Sequence, residues 1–287
     1  MIRWNKLSLP HPRTDTAMYQ VLERFIQGKQ DARHCEDGIV LSHGFAAVID
    51  GSTSKGNYDW GNETSGQLAR DILSMTLPEL SPDANAVEVC SRLTEAINGF
   101  TKRATGKDAA ELSACNRLTA VMAIYNDRKK EVWQIGDCPC LIDGILHENG
   151  KPQETILAQR RAGILEKALK EGADIEMLES NDIGRKGIIN DLKALCNLQN
   201  KAFAVLDGTP VDRKGVCITD VSKATTVVLA TDGYPLLLPT LQDSEQALQK
   251  QLEADPLCIG SFQATKGLRP GYRSFDDRAY VKIRLQP

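Results

Sequence analysis

The hydrophobic pattern changes period several times along this chain. In "GFAAVIDGST", residues 44–53, the apolar run from Phe45 to Ile49 has no polar alternation, as in a strand buried on both faces. It stops on Asp50-Gly51, a favoured turn pair. "ETSGQLARDILSMTL" then sets Leu68, Ile72 and Leu73 on one helical face. In "DANAVEVCSRLTEAINGFTKR", Ala86, Val89, Leu93, Ile97 and Phe100 recur at helical spacing, with Asp83 as the predicted cap. "RLTAVMAIYN", "EVWQIGD" and "CLIDGILHE" read as strands, with a hairpin signal at Asp143-Gly144.

From Pro152 to about Leu198 the period is helical again, and "ETILAQRRAGILEKALKEG" ends on a glycine suited to a helix C-terminus. Strands are predicted at "KAFAVLDG", "GVCITDV" and "TTVVLATDG", and a helix at "DSEQALQKQLEAD". Ala279, Val281, Ile283 and Leu285 alternate in the closing strand. This order lacks the strict βαβ alternation of a parallel sheet. It predicts an α+β fold: a four-layer α-β-β-α sandwich of two packed antiparallel sheets flanked by helices. With no repeat or Pro/Ser linker, residues 1–287 read as one domain carrying a helical, flap-like insert at about 152–198.

Composition narrows the function classes. A net charge of −3 and a pI near 5.9 give no basic footprint for nucleic acid. No apolar run approaches the ~20 residues of a membrane helix. The eight cysteines are scattered without a CxxC pair, and "MIRWNKLSLPHPRTD" has no apolar leader core. The expectation is a soluble, cytoplasmic protein with reduced thiols. Cys138-Pro139-Cys140 has no second pair with which to build a zinc site, and His34 and His43 read as polar loop histidines.

Carboxylates recur at the strand ends. Asp50-Gly51 is echoed by Asp232-Gly233 after "TTVVLAT"; Asp137 closes "EVWQIGD", Asp276-Asp277 opens the last strand, and Glu36-Asp37 opens "GIVLS". If these strands are neighbours, the acids meet at one rim. Crowded carboxylates raise one another's pKa, and a hard divalent cation relieves that; oxygen donors favour Mg²⁺ or Mn²⁺.

In order, "CEDG", "AVIDGS", "LTAVMAIYN…VWQIGDCP", "VVLATDGYPLL" and "FDDRAYVKI" resemble the signatures of the metal-dependent protein serine/threonine phosphatases of the protein phosphatase 2C type, collinearly over residues 33–285. The resemblance implies hydrolysis of phosphoserine or phosphothreonine in a phosphorylated protein substrate, by a water bridging two Mn²⁺ or Mg²⁺ ions. It places Asp50 as the bridging ligand, Glu36 and the Gly51 carbonyl at one ion, and Asp232 and Asp276 at the other. Asp137 with Asp232 forms an incomplete third site, and Arg33 clamps the phosphoryl group, although it stands three residues before Glu36 where the family has four. Ser52-Thr53-Ser54 departs from the family's usual turn, and Leu236 replaces an acid of the third site. Asp277 stands where animal members have asparagine. The alternative reading is a catalytically weak pseudophosphatase acting as a binding or regulatory module.

Overall fold

The structure, a computed structural model, describes residues 19–286; the opening stretch 1–15 read above lies outside them. Its frame is two five-stranded antiparallel sheets. The first runs in the order β2 (Asp37–Ser42), β3 (Phe45–Ser52), β4 (Thr119–Asn126), β5 (Glu131–Ile135), β8 (Val216–Asp220). The second runs β1 (Tyr19–Gln27), β10 (Arg278–Leu285), β9 (Thr226–Ala230), β6 (Cys140–Ile142), β7 (Ile145–His147).

The unbroken apolar run of β3 has a simple cause: both of its faces are covered. Phe45, Ala47 and Ile49 face α1 (Ser65–Thr76) and α2 (Ala86–Thr105), meeting Leu73, Val89, Leu93 and Ile97. Ala46 and Val48 face the second sheet, where Val227, Leu229, Ala279, Val281 and Ile283 complete a core between the sheets. Each buried aliphatic side chain here contributes about 1.5–3 kcal/mol of transfer free energy. On the far side, Val228, Ala230 and Tyr280 pack against Tyr234 and Leu237. There α6 (Leu241–Ala254) is tied down by Arg278, whose Nε donates to Glu245 Oε1 at 2.7 Å. The layers are therefore helices, sheet, sheet, helix, as the patterning predicts.

Local expectations differ from the structure at four places. Asp50-Gly51 is not a turn: β3 continues to Ser52, with Asp50 paired to Asp37 on one side and Val121 on the other. The cap of α2 is Asn85, whose side chain accepts from the Glu88 N–H while Glu88 accepts from the Asn85 N–H; Asp83 pairs with Arg128 instead. "KAFAVLDG" forms only isolated bridges, Ala120 with Leu206 among them. Finally, β1 has no counterpart among the strands that the hydrophobic pattern predicts.

The insert forms α3 (Pro152–Lys170), α4 (Ile175–Ser180) and α5 (Ile183–Cys196). Arg161 of α3 is 1% exposed and ties three segments together. Its Nε and Nη2 donate to Asp182 Oδ2, at 2.9 and 2.8 Å, and its Nη1 to the Leu257 and Ala264 carbonyls. Among the described residues no helix is long and apolar enough to cross a membrane.

Candidate active site

Strand parity decides where the acids go. Asp50 shares the face of Ala46 and Val48, so it points between the sheets at their rim, and Asp37, its partner across the ladder, points the same way. From the second sheet, the segments leaving β9 and entering β10 bring Asp232 and Asp276 to the same rim. Glu36, Asp50, Gly51, Asp137, Asp232 and Asp276 all line one cleft of about 670 Å³, between the rim and the insert.

Three buried braces hold this rim. Asp277 accepts from the Lys29 N–H at 2.7 Å, the Glu36 N–H at 3.0 Å and Lys29 Nζ at 3.1 Å, joining the ends of β1, β2 and β10. Thr231 Oγ1 donates to Asp37 Oδ2 at 2.7 Å and accepts from the Ala279 N–H at 2.8 Å, linking the two sheets. Glu36 lies against the N-terminus of α1, where Thr53 and the N-cap Thr64 donate hydroxyl hydrogen bonds to it. A Cβ on Gly66 would collide with that carboxylate, and one on Gly51 with the Gly66 carbonyl, so both close approaches require glycine.

The charges divide into two sets. Glu36, Asp276 and Asp277 are met by Lys29, at 3.7, 3.4 and 3.1 Å. Asp276 is also paired with Lys266, and Asp137 with Lys151 at 2.8 Å. Burial works against the Asp276 carboxylate, but Lys266 and Lys29 outweigh it and hold its pKa below the usual range. Asp50 and Asp232 have no hydrogen-bond or ion-pair partner among the described residues. Burial, then the Asp232 charge, pushes Asp50 well up. Asp232 is exposed on the wall of the cleft; desolvation, then the Asp276 and Asp137 charges, pushes it up to about 7.

Arg33 does not join this site. It is exposed and outside the cleft, with its N–H turned to Asp31 and its carbonyl accepting from Gln67. His34 pairs with Asp31, also outside the cleft, and His43 is exposed. The cations that do line the cleft, Lys29, Lys55, Lys151, Arg185, Lys266 and Arg269, carry no motif spacing that would mark them in the sequence. Among the described residues no three His, Cys, Asp or Glu side chains are grouped to hold a metal ion. What the rim offers is the free carboxylate pair Asp50–Asp232, flanked by carboxylates already bound to lysine.

No family model matches the chain, and no curated protein does. Solved structures similar to it include the serine/threonine phosphatase PstP/Ppp of Mycobacterium tuberculosis, 12% identical, with 94% of this chain and 99% of that one covered at a TM-score of 0.48. The serine/threonine phosphatase Stp1 of Staphylococcus aureus is 12% identical, covering 98% and 100% at a TM-score of 0.46. RsbX, in complex with magnesium, is 13% identical, covering 94% and 100% at 0.41. At such identities and scores, the chemistry has to be read from this chain's own residues.

Proposed function

We propose that this protein is a metal-dependent phosphoprotein phosphatase acting on phosphoserine or phosphothreonine. The observation that carries the reading is the pair of carboxylates, Asp50 and Asp232, that line one cleft without a hydrogen-bond or ion-pair partner among the described residues, while Glu36, Asp137 and Asp276 beside them are each met by a lysine. Two such carboxylates repel each other, and a hard divalent cation is the ligand that removes the repulsion with oxygen donors alone. The donor chemistry therefore fits one Mn²⁺ or Mg²⁺ ion held by Asp50 and Asp232. A second ion would draw on Asp276 or Glu36, each of which would first have to release its lysine. Ions bound there would supply Lewis-acid polarisation of a phosphoryl oxygen and a water of lowered pKa.

The chain's own residues supply the rest. Thr53 and Thr64 orient Glu36, Asp277 fixes the strand ends, and Lys29 and Lys266 place positive charge where phosphoryl oxygens would enter. Arg33 is exposed and outside the cleft, whereas Lys266 lines it beside Asp276 and is the better candidate for the clamp that the resemblance assigns to Arg33. A cysteine nucleophile is not needed, and six of the eight cysteines are buried.

Phosphate release from a phosphothreonine peptide tests the proposal. Turnover should appear with Mn²⁺, vanish with EDTA and survive iodoacetamide. Turnover that persists in EDTA but is lost on alkylation would overturn it.

A further inference from the structure

The cleft is larger than a phosphoryl group requires, since volumes of about 300–1,000 Å³ accept whole small ligands. Its unpaired charges are of both signs. The free acids, Asp50 and Asp232, stand on the sheet rim. Lys55, in the loop after β3, and Arg185, on α5 of the insert, line the same cleft without a salt-bridge partner among the described residues.

Lys55 follows β3 by three residues, so the strand that presents Asp50 also fixes the start of the Lys55 loop. Arg185 lies in the first turn of α5, where Asp182 Oδ1 accepts its backbone N–H at 2.7 Å. Its Nη1 donates to the Thr265 carbonyl at 2.7 Å, which leaves Nε and Nη2 for a ligand. Asp182 is itself held by buried Arg161, so the guanidinium sits on a braced platform. Burial, ahead of the neighbouring Arg185 and Lys266 charges, draws Lys55 below the ordinary lysine range, and burial does the same to Arg185. Glu154 acts on both cations, and Asp276 and Asp182 on Arg185, yet burial outweighs them, so a further anion bound between the two would relieve part of the desolvation cost. A planar guanidinium with a free edge suits an anionic group with two oxygens.

We propose that Lys55 and Arg185 form a second anion subsite, which selects phosphopeptides carrying a further acidic group, a carboxylate or a second phosphoryl, beside the phosphorylated residue. The rim takes the scissile phosphoryl group, and the insert side takes the second anion. This rests on the phosphatase reading for its substrate but on different residues.

Fluorescence anisotropy in EDTA, where no turnover is expected, tests the subsite. Three labelled phosphothreonine peptides serve as probes: one flanked by glutamates, one carrying a second phosphothreonine, and one flanked by alanines. The wild type should bind one or both of the anionic peptides roughly tenfold more tightly than the neutral one, the scale of one charge-assisted contact. Which of the two gains more tells carboxylate from phosphoryl. In Lys55→Met/Arg185→Gln the preference should collapse toward onefold, while Lys55→Arg/Arg185→Lys should retain part of it. Equal binding of all three by the wild type overturns the subsite, as does a preference that survives the Met/Gln variant. Hydrolysis of p-nitrophenyl phosphate by the wild type in Mn²⁺ is scored separately. Its absence counts against the phosphatase reading and leaves the binding result to stand by itself.

Discussion

Asp37 and Asp50 face each other across the β2–β3 ladder, and both point at the second sheet, where Asp232 and Asp276 stand. Directly opposed like charges destabilise a strand pair, so this rim costs stability when no cation is present. The sign follows from the shifts. Asp232 has a folded pKa of about 7 against an ordinary 3.8, and Asp50 is shifted the same way. Between those values the folded state binds more protons than the unfolded state, so stability falls as pH rises through that window and the penalty is complete above it. In EDTA, the melting temperature of the wild type should therefore drop from pH 5 to pH 8 more than that of Asp232→Asn, and the variant should be the more stable at pH 8. Parallel pH profiles for the two proteins would mean that the carboxylates are not crowded. At this scale the acids were legible because each stands at a strand end with glycine or a second acid beside it. Their lysine partners were not, because a lysine meets a carboxylate through the fold, at separations as long as Lys29 to Asp277.

At the scale of elements, Arg161 is the side chain on which the insert turns. It is an apolar-surrounded cation whose charge is met by Asp182 and whose remaining donors reach the carbonyls of the 257–264 segment. Removing it leaves Asp182 Oδ2 and those carbonyls without their donor, although Asp182 Oδ1 still accepts the Arg185 N–H. Arg161→Met should cost about 3–5 kcal/mol in urea unfolding, the usual price of breaking a buried pair from one side. Arg161→Lys should recover only part, because an ammonium cannot supply the same planar fork. A loss below about 1 kcal/mol for Arg161→Met would show that the hub is dispensable. The helices themselves were legible from their 3.6-residue period, and the β6–β7 hairpin from Asp143-Gly144, both at positive φ. β1 escaped notice because a register irregularity between Val21 and Glu23 breaks the two-residue period. "KAFAVLDG" misled for the opposite reason. Ala204, Val205 and Leu206 are buried against the first sheet, but Asn200 and Asp207 satisfy the surrounding loop with side-chain hydrogen bonds instead of a ladder.

For the whole molecule, two sheets meeting at one rim explain why acids from sites 36 to 276 in sequence share a cleft, and why their order along the chain could be read before their positions. Each acid ends or begins a strand of one of two stacked sheets, so antiparallel packing brings them to the same end. The sequence could not show that Lys29 and Lys266 would share Asp276, and that sharing sets the terms on which a cation enters. An ion taking Asp276 must displace the ammonium groups already there. Lys266→Met removes one competitor, so the Mn²⁺ concentration giving a fixed thermal shift should fall, by roughly tenfold for a displacement cost near 1.4 kcal/mol. The shift follows RT ln(1 + [L]/Kd), about 2.7 kcal/mol at a hundredfold excess, or roughly 5 °C in a chain of this length. Asp50→Asn should act in the other direction, keeping the shape of the rim but removing the free carboxylate, and so abolishing most of the shift. The two variants thus separate competition from ligation without any substrate. An unchanged dependence of melting temperature on Mn²⁺ concentration in Lys266→Met would free Asp276 from the metal reading. A full Mn²⁺ shift in Asp50→Asn would place the ion elsewhere and end the assignment of this rim as a metal site.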